Sequence, residues 1–268
     1  MKRVFILFLY ALILAGAIPA RAGSITMQTY ATSTLMDDGG VRVNVTTTNI
    51  GHEAAMNVQV HAIFQDTRKS SKIIPLLKPR QTYRTFIDIR PGLALPGSYP
   101  IEILVDFHDA NGYLFSSLAH TSFVYKQGVN NQVFVKAAET VLTGSTKMTL
   151  EVLNTDRTDR EVTIRLIVPR ELRVSPARQT VRVKARGKSK VSFRLKNFSA
   201  LEGSAYPILS FLEYVADGLH YSNVAESRVQ VTAPQNFFKR HTPALIIVTA
   251  VLGIIVVLFQ ITRSARKD

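Results

Sequence analysis

From Gly23 to Ala233 apolar residues recur at every second position in short runs, and no stretch shows the three-to-four spacing of an amphipathic helix. Val41, Val43 and Val45 share one side of an extended chain, with Arg42 and Asn44 on the other. Val58, Val60 and Ala62 alternate with Gln59, His61 and Ile63, and Val181, Val183 and Ala185 with Arg182, Lys184 and Arg186. Side chains of a strand point to opposite faces in turn, so such runs read as half-buried strands. Gly, Pro, Asn and Asp punctuate them at the spacing of a β-sandwich. The predicted fold is all-β.

The two halves repeat one pattern. Gly97-Ser98-Tyr99-Pro100-Ile101 leads into an apolar strand, then Asp109-Ala110-Asn111-Gly112, then Tyr113 to Ser117. About 106 residues later, Gly203-Ser204-Ala205-Tyr206-Pro207-Ile208 leads into another, then Asp217-Gly218, then Leu219 to Asn223. Asn-Gly and Asp-Gly tolerate positive φ and predict hairpin turns. Earlier in each half a strand ends at Thr48-Asn49-Ile50-Gly51 or at Leu153-Asn154-Thr155-Asp156. The reading is one sandwich over residues 23–128 and a second over 129–233. Gln127-Gly128-Val129-Asn130-Asn131 is the short linker, which leaves the two little relative freedom.

Thr48-Asn49-Ile50-Gly51, followed by Asn57-Val58-Gln59-Val60, resembles the core of bacterial and archaeal immunoglobulin-like modules, namely the cell-adhesion-related domain and the module attached to some α-galactosidases. The Pro96 to Pro100 stretch is similar to their penultimate strand, and Leu77 to Gln81 to a loop before a strand. The resemblance implies two tandem immunoglobulin-like β-sandwiches in an extracytoplasmic spacer, adhesion or accessory role. It implies no active site, since those modules share none.

Both ends are apolar. Met1-Lys2-Arg3, the run Val4 to Ile18 and the small residues Ala20 and Ala22 make a secretory signal peptide over residues 1–22. Ala244 to Thr262 is uncharged and long enough, at about 1.5 Å per residue, to cross a hydrocarbon core as a single transmembrane α-helix. Residues 234–243 form a juxtamembrane linker, and 263–268 a basic cytoplasmic tail that agrees with the positive-inside rule. The expected product is a single-pass protein of the cell membrane with its sandwiches facing the periplasm or cell exterior. No Leu-Pro-x-Thr-Gly or Pro-Glu-Pro sorting motif accompanies the anchor.

Motifs for catalysis are missing. There is no Cys, hence no disulfide framework or thiolate metal site. No Gly-x-Ser-x-Gly occurs, and His52-Glu53 has Met56 where a zinc-protease motif needs a second His. Phe107 and Leu118 fall where a calcium loop ending its turn at Gly112 would need ligands. No cofactor, metal site or enzymatic activity is expected. The nearest acidic cluster is Glu102, Asp106 and Asp109, with the first two on one strand face.

The formal charge of +14 is concentrated. Between Arg157 and Lys196 there are 13 Lys and Arg against three acids, Asp159, Glu161 and Glu171. Alternation turns Arg182, Lys184 and Arg186 away from one apolar face and Lys188, Lys190 and Arg194 away from the next. Were these two runs paired across Gly187, all six would form one anion-binding face. Its expected partners are an acidic polysaccharide, anionic lipid or an envelope protein. Nucleic acid is disfavoured by location and by the lack of exposed aromatics for stacking. The leading function is a non-catalytic binding or scaffold protein of the cell envelope, such as an accessory module of a polysaccharide or secretion system. The alternative is a periplasmic assembly or export chaperone, a class with two similar domains that offers a strand edge to its client. That reading requires an exposed, alternating apolar edge strand in the first sandwich.

Overall fold

The structure is a computed structural model that describes residues 24–65 and 67–233. The expected signal peptide, juxtamembrane linker, transmembrane helix and tail lie outside the described residues. Among those described there is no helix, so none is long and apolar enough to cross a membrane.

Seventeen strands follow one another. The first eight are β1 (Met27–Leu35), β2 (Val41–Asn49), β3 (Ala55–Phe64), β4 (Thr67–Ser70), β5 (Ile74–Leu77), β6 (Thr82–Ile89), β7 (Gly97–His108) and β8 (Leu114–Tyr125). Then come β9 (Val133–Val135), β10 (Glu139–Leu142), β11 (Ser145–Asn154), β12 (Arg160–Ile167), β13 (Leu172–Ser175), β14 (Arg178–Val183), β15 (Lys188–Asn197), β16 (Ala205–Ala216) and β17 (Leu219–Val231). Sheet β1-β2-β6 packs its apolar side onto β3, β5 and β7, around a core that includes Val43, Val60, Ile87 and Ile103. Sheet β13-β15-β11-β9 packs likewise onto β12, β16 and β17, around Met148, Ile164, Phe193 and Leu212. The alternating valines explain these layers: Val41, Val43 and Val45 are buried while Asn44 is exposed. Residues between the sandwiches are tied down, since Asn131 Nδ2 donates to Ser222 O and Tyr214 Oη donates to Asn131 Oδ1.

Two strands break the alternation. β7 and β16 are buried on nearly every residue from Tyr99 to Val105 and from Ile208 to Leu212. Their second faces meet each other. Leu104 and Leu118 of the first sandwich pack with Ile167, Leu209 and Phe211 of the second, flanked by Ile63 and Val224. A strand covered on both sides needs apolar residues on both, so its sequence is a continuous run. The sandwiches also join edgewise at one point, where β17 meets β7 in parallel with His220 opposite Gly97.

A buried asparagine closes each sandwich. Asn49 Nδ2 donates to Glu53 O and Leu77 O, and its Oδ1 accepts from Gly51 N. Asn154 Nδ2 donates to Thr158 O, Val183 O and Lys184 O, and its Oδ1 accepts from Asp156 N. Each carboxamide thus fixes a local turn and clasps a strand from the opposite layer. Beyond that strand the chain turns at Lys78–Gln81 or Lys184–Gly187, with Arg80 and Arg186 at positive φ. Replacing Asn154 with alanine is expected to cost about 2–3 kcal/mol, because it strips a donor from buried carbonyls. Chemical denaturation measures this. A loss well below about 1 kcal/mol would show that the carbonyls find other partners.

Candidate functional site

A basic surface forms on the outer face of sheet β13-β15-β11-β9. Met148, Leu150 and Val152 point into the core, so Lys147, Thr149 and Glu151 point out. On β15, Val191, Phe193 and Leu195 point in, and Lys188, Lys190, Arg194 and Lys196 point out. Pairing sets these strands side by side. Lys147 lies opposite Arg194, Glu151 opposite Lys190, and Arg173 of β13 opposite Lys196. Glu151, the acid of this face among the described residues, takes Lys188 at 3.3 Å and Lys136 at 3.4 Å. Lys147, Lys190, Arg194 and Lys196 pair with no carboxylate among the described residues. Arg173 lies with its guanidinium carbon 4.0 Å over the Phe198 ring. Like charges set opposite across a ladder repel. Between the cations Thr149 and Ser192 are hydrogen-bonded to each other at 2.9 Å, and Leu153 and the exposed Phe134 lie opposite each other at the β9 edge of the face.

The structure divides the six cations expected to act together. β14 pairs with β12, whereas β15 pairs with β11 and β13 in the other sheet. Val183 and Val191 therefore meet the core from opposite layers, and the turn between them crosses the sandwich instead of closing a hairpin. Lys188, Lys190 and Arg194 share the basic face. Arg182 is on the other sheet, ion-paired to Asp159 at 3.1 Å, and Lys184 and Arg186 occupy the crossing turn. Lys147, Arg173 and Lys196 were missed. Alternation in Ser145–Asn154 turns Lys147 outward, but only the pairing shows that it faces Arg194.

A second polar cluster lies between the sandwiches. Asp106 accepts from Nε and Nη2 of Arg170, both at 2.7 Å, and from Arg68 at 3.2 Å. Arg165 Nη1 donates to Glu102 at 3.1 Å. The buried Glu171 carboxylate accepts from Ser116 N and Oγ, both at 2.9 Å. Thus Glu102 and Asp106 do share a face, as expected, and that face is the interface. Asp106 also completes a serine–histidine–aspartate chain: His61 Nδ1 is 2.7 Å from Ser70 Oγ and its Nε2 is 3.0 Å from Asp106 Oδ2. Arg68 and Arg170 also pair with this aspartate. The chain fixes β3, β4 and β7 together. Among the described residues no group of three His, Cys, Asp or Glu could hold a metal ion.

These carboxyls titrate in opposite senses. Burial works to raise Asp106, but hydrogen bonds from His61 and Arg170 outweigh it and bring the group down to about 2. Burial raises Glu102 against the pull of Arg165, and raises Glu171 against the Ser116 donors. A lowered group stabilises the fold above its unfolded pKa, here 3.8, and that contribution disappears as pH falls through about 2. A raised group contributes fully below its unfolded value, 4.5, and that contribution is lost as pH rises through its folded pKa. Stability should therefore climb modestly as pH drops from 7 toward 4.5, then decline below 3.8. Denaturant midpoints across pH test this, and Asp106→Asn should flatten the acid limb. An unchanged acid limb in that variant would refute the assignment.

No family model and no curated protein matches the chain. Among solved structures it is similar to an MSP family member from C. elegans, WR4, with 12% identity, 38% of this chain and 100% of that chain covered, and a TM-score of 0.28. It is similar to the E. coli chaperone DraB at 15% identity, covering 39% of this chain and 57% of that one, with a TM-score of 0.29. It is also similar to PapD-like domain 7 of human CEP192 at 14% identity, covering 42% and 95%, with a TM-score of 0.30. The described chain itself is all-β, its strands paired into sheets that pack face to face.

Proposed function

We propose that this chain is a membrane-anchored, non-catalytic binding and scaffold protein of the cell envelope. It is built from two tandem copies of one immunoglobulin-like module, with the basic face of the second as its contact for an acidic polysaccharide. The anchor reading rests on the uncharged run Ala244 to Thr262, and export on residues 1–22. Equivalence of the modules is supported by Asn49 and Asn154, which make the same clasp at matching points.

The observation that carries the ligand is the set Lys147, Lys190, Arg194 and Lys196 on neighbouring strands, exposed and without acid partners among the described residues. A protein interface usually has an apolar, charge-depleted centre. The β15 and β13 side of this face instead offers cations interspersed with Ser and Thr, which suits a hydrated polyanion. The chaperone reading gains no specific observation. The long edge strand β1 exposes Gln28, Tyr30, Thr32 and Thr34, a mostly polar row, and its free side lies along β8 through bonds such as Ser33 Oγ to Ser122 O.

The test is retention of the full chain, in detergent, on acidic and neutral polysaccharide columns at low and high salt. One variant carries Lys147, Lys190, Arg194 and Lys196 changed to Ser. A second carries Arg182, Lys184 and Arg186 changed to Ser, a comparable loss of charge elsewhere. Retention on acidic polymer should fade with salt, drop at least tenfold in the first variant and stay near the parent in the second. Equal behaviour of the two variants would reject the face.

A further inference from the structure

We infer that one end of the two-sandwich body is a lipid-docking surface, seated on the anionic headgroups of the membrane that holds the chain's own anchor. This rests on the anchor reading above. β7 and β17 run parallel, so His108 and Val231 mark the same end of the body. The chain leaves there toward Ala244, and residue 24, where the described chain begins, is there too. Ser24, Glu53 and Asp109 of the first sandwich line one cleft with Glu171, Leu201 and Tyr206 of the second. The ten residues 234–243 span at most about 35 Å fully extended. This end is therefore held close to the bilayer.

Its loops carry what an interfacial surface needs. Ile50, Tyr113, Leu114, Phe198 and Leu201 are exposed, with Tyr113 at 68% and Phe198 at 66%. All belong to turns around that cleft or, for Leu114, to the first residue of the strand that follows one: Ile50 N bonds Thr26 O, Tyr113 N bonds Asp109 Oδ1, and Phe198 N bonds Glu171 O. Aromatic and aliphatic tips favour the headgroup boundary. Lys78 and Arg80 flank them on the first sandwich, and Arg173, stacked on Phe198, on the second. Glu53, Asp109 and Glu202 are also present, and Asp109 is engaged by the backbone of its own turn. Cations near an anionic bilayer are attracted within a Debye length. With this end down, the strands stand away from the membrane and the basic face looks sideways, free for a polymer.

The chain has no Trp, so Phe198→Trp gives a single reporter at the end surface, and Val215→Trp gives one beside the hairpin at the opposite end of β16. The full chain would be reconstituted into vesicles of phosphatidylcholine alone or of three parts phosphatidylcholine to one part phosphatidylglycerol. In anionic vesicles the F198W emission should shift to the blue and be quenched by brominated acyl chains, less so at high salt. The V215W emission should stay that of water-exposed Trp. Flotation with both vesicle types after alkaline carbonate washing reports the anchor separately. A chain that floats while F198W emits as if in water overturns the docking surface and leaves the anchor standing. A chain stripped by carbonate overturns both.

Discussion

Replacing Gly97 with alanine is expected to cost about 3 kcal/mol or more and to loosen one sandwich from the other. Gly97 has φ +144° at the only point where β7 and β17 pair. A Cβ there would lie 2.0 Å from His220 O and 2.7 Å from His220 C, both backbone atoms that cannot swing away as a side-chain end would. Relief requires β17 to retreat. Retreat would break the bond from His220 N to Pro96 O at 2.9 Å and that from His220 Nδ1 to Ser98 O at 2.8 Å. It would also unstack His220 from Tyr99, whose rings sit 4.1 Å apart and 4° from parallel. The measurement is denaturant unfolding of the full chain in detergent micelles, with limited proteolysis at the linker. Parent-like stability and cleavage would mean that the junction adapts around a methyl group.

Phe211→Ala should cost about 3–5 kcal/mol, the usual penalty for emptying a fully buried aromatic site. Phe211 has no exposed surface, although it points away from its own sandwich core. Its ring lies under the Arg165 guanidinium at 5.1 Å and edge-on to His120 at 6.4 Å, among Leu104, Leu118, Ile167 and Leu209. Its removal leaves a cavity between the sandwiches and exposes the Arg165–Glu102 pair to water. The parent should unfold in one cooperative step, because the interface couples both cores. The variant should show two transitions, the less stable one shifted most. A single transition shifted by less than about 1 kcal/mol would show that the coupling lies elsewhere.

Much of this architecture is written in local sequence. The alternation of Val41, Val43 and Val45 against Arg42 and Asn44 needs only the period of an extended chain, and it produces a half-buried strand wherever that strand pairs. Asp217-Gly218 needs only positive φ at two successive residues, which the structure shows at 52° and 73°. Asn49 and Asn154 announce themselves as matching strand ends, although their clasp on a strand 28 or 29 residues away does not. The charge surplus between Arg157 and Lys196 is likewise plain from composition.

Partnership between strands was decided by tertiary structure. Val181-to-Val183 and Val191-to-Leu195 are separated by a turn that would suit a hairpin, yet they enter different sheets. Alternation fixes which side of a strand faces a core but is silent on which layer the strand joins. That choice moved Arg182 away from Lys190 and set Lys147 opposite Arg194 and Arg173 opposite Lys196. The same limit hid the interface. The apolar runs of β7 and β16 show that both faces are covered, but not by what, because burial against another strand's outer face leaves the same residues as burial in a core. Sequence therefore determined the strands, their turns and the sign of the surface charge. Packing between layers determined which cations meet, and why Asp106, Arg170 and Phe211 hold two sandwiches as one body.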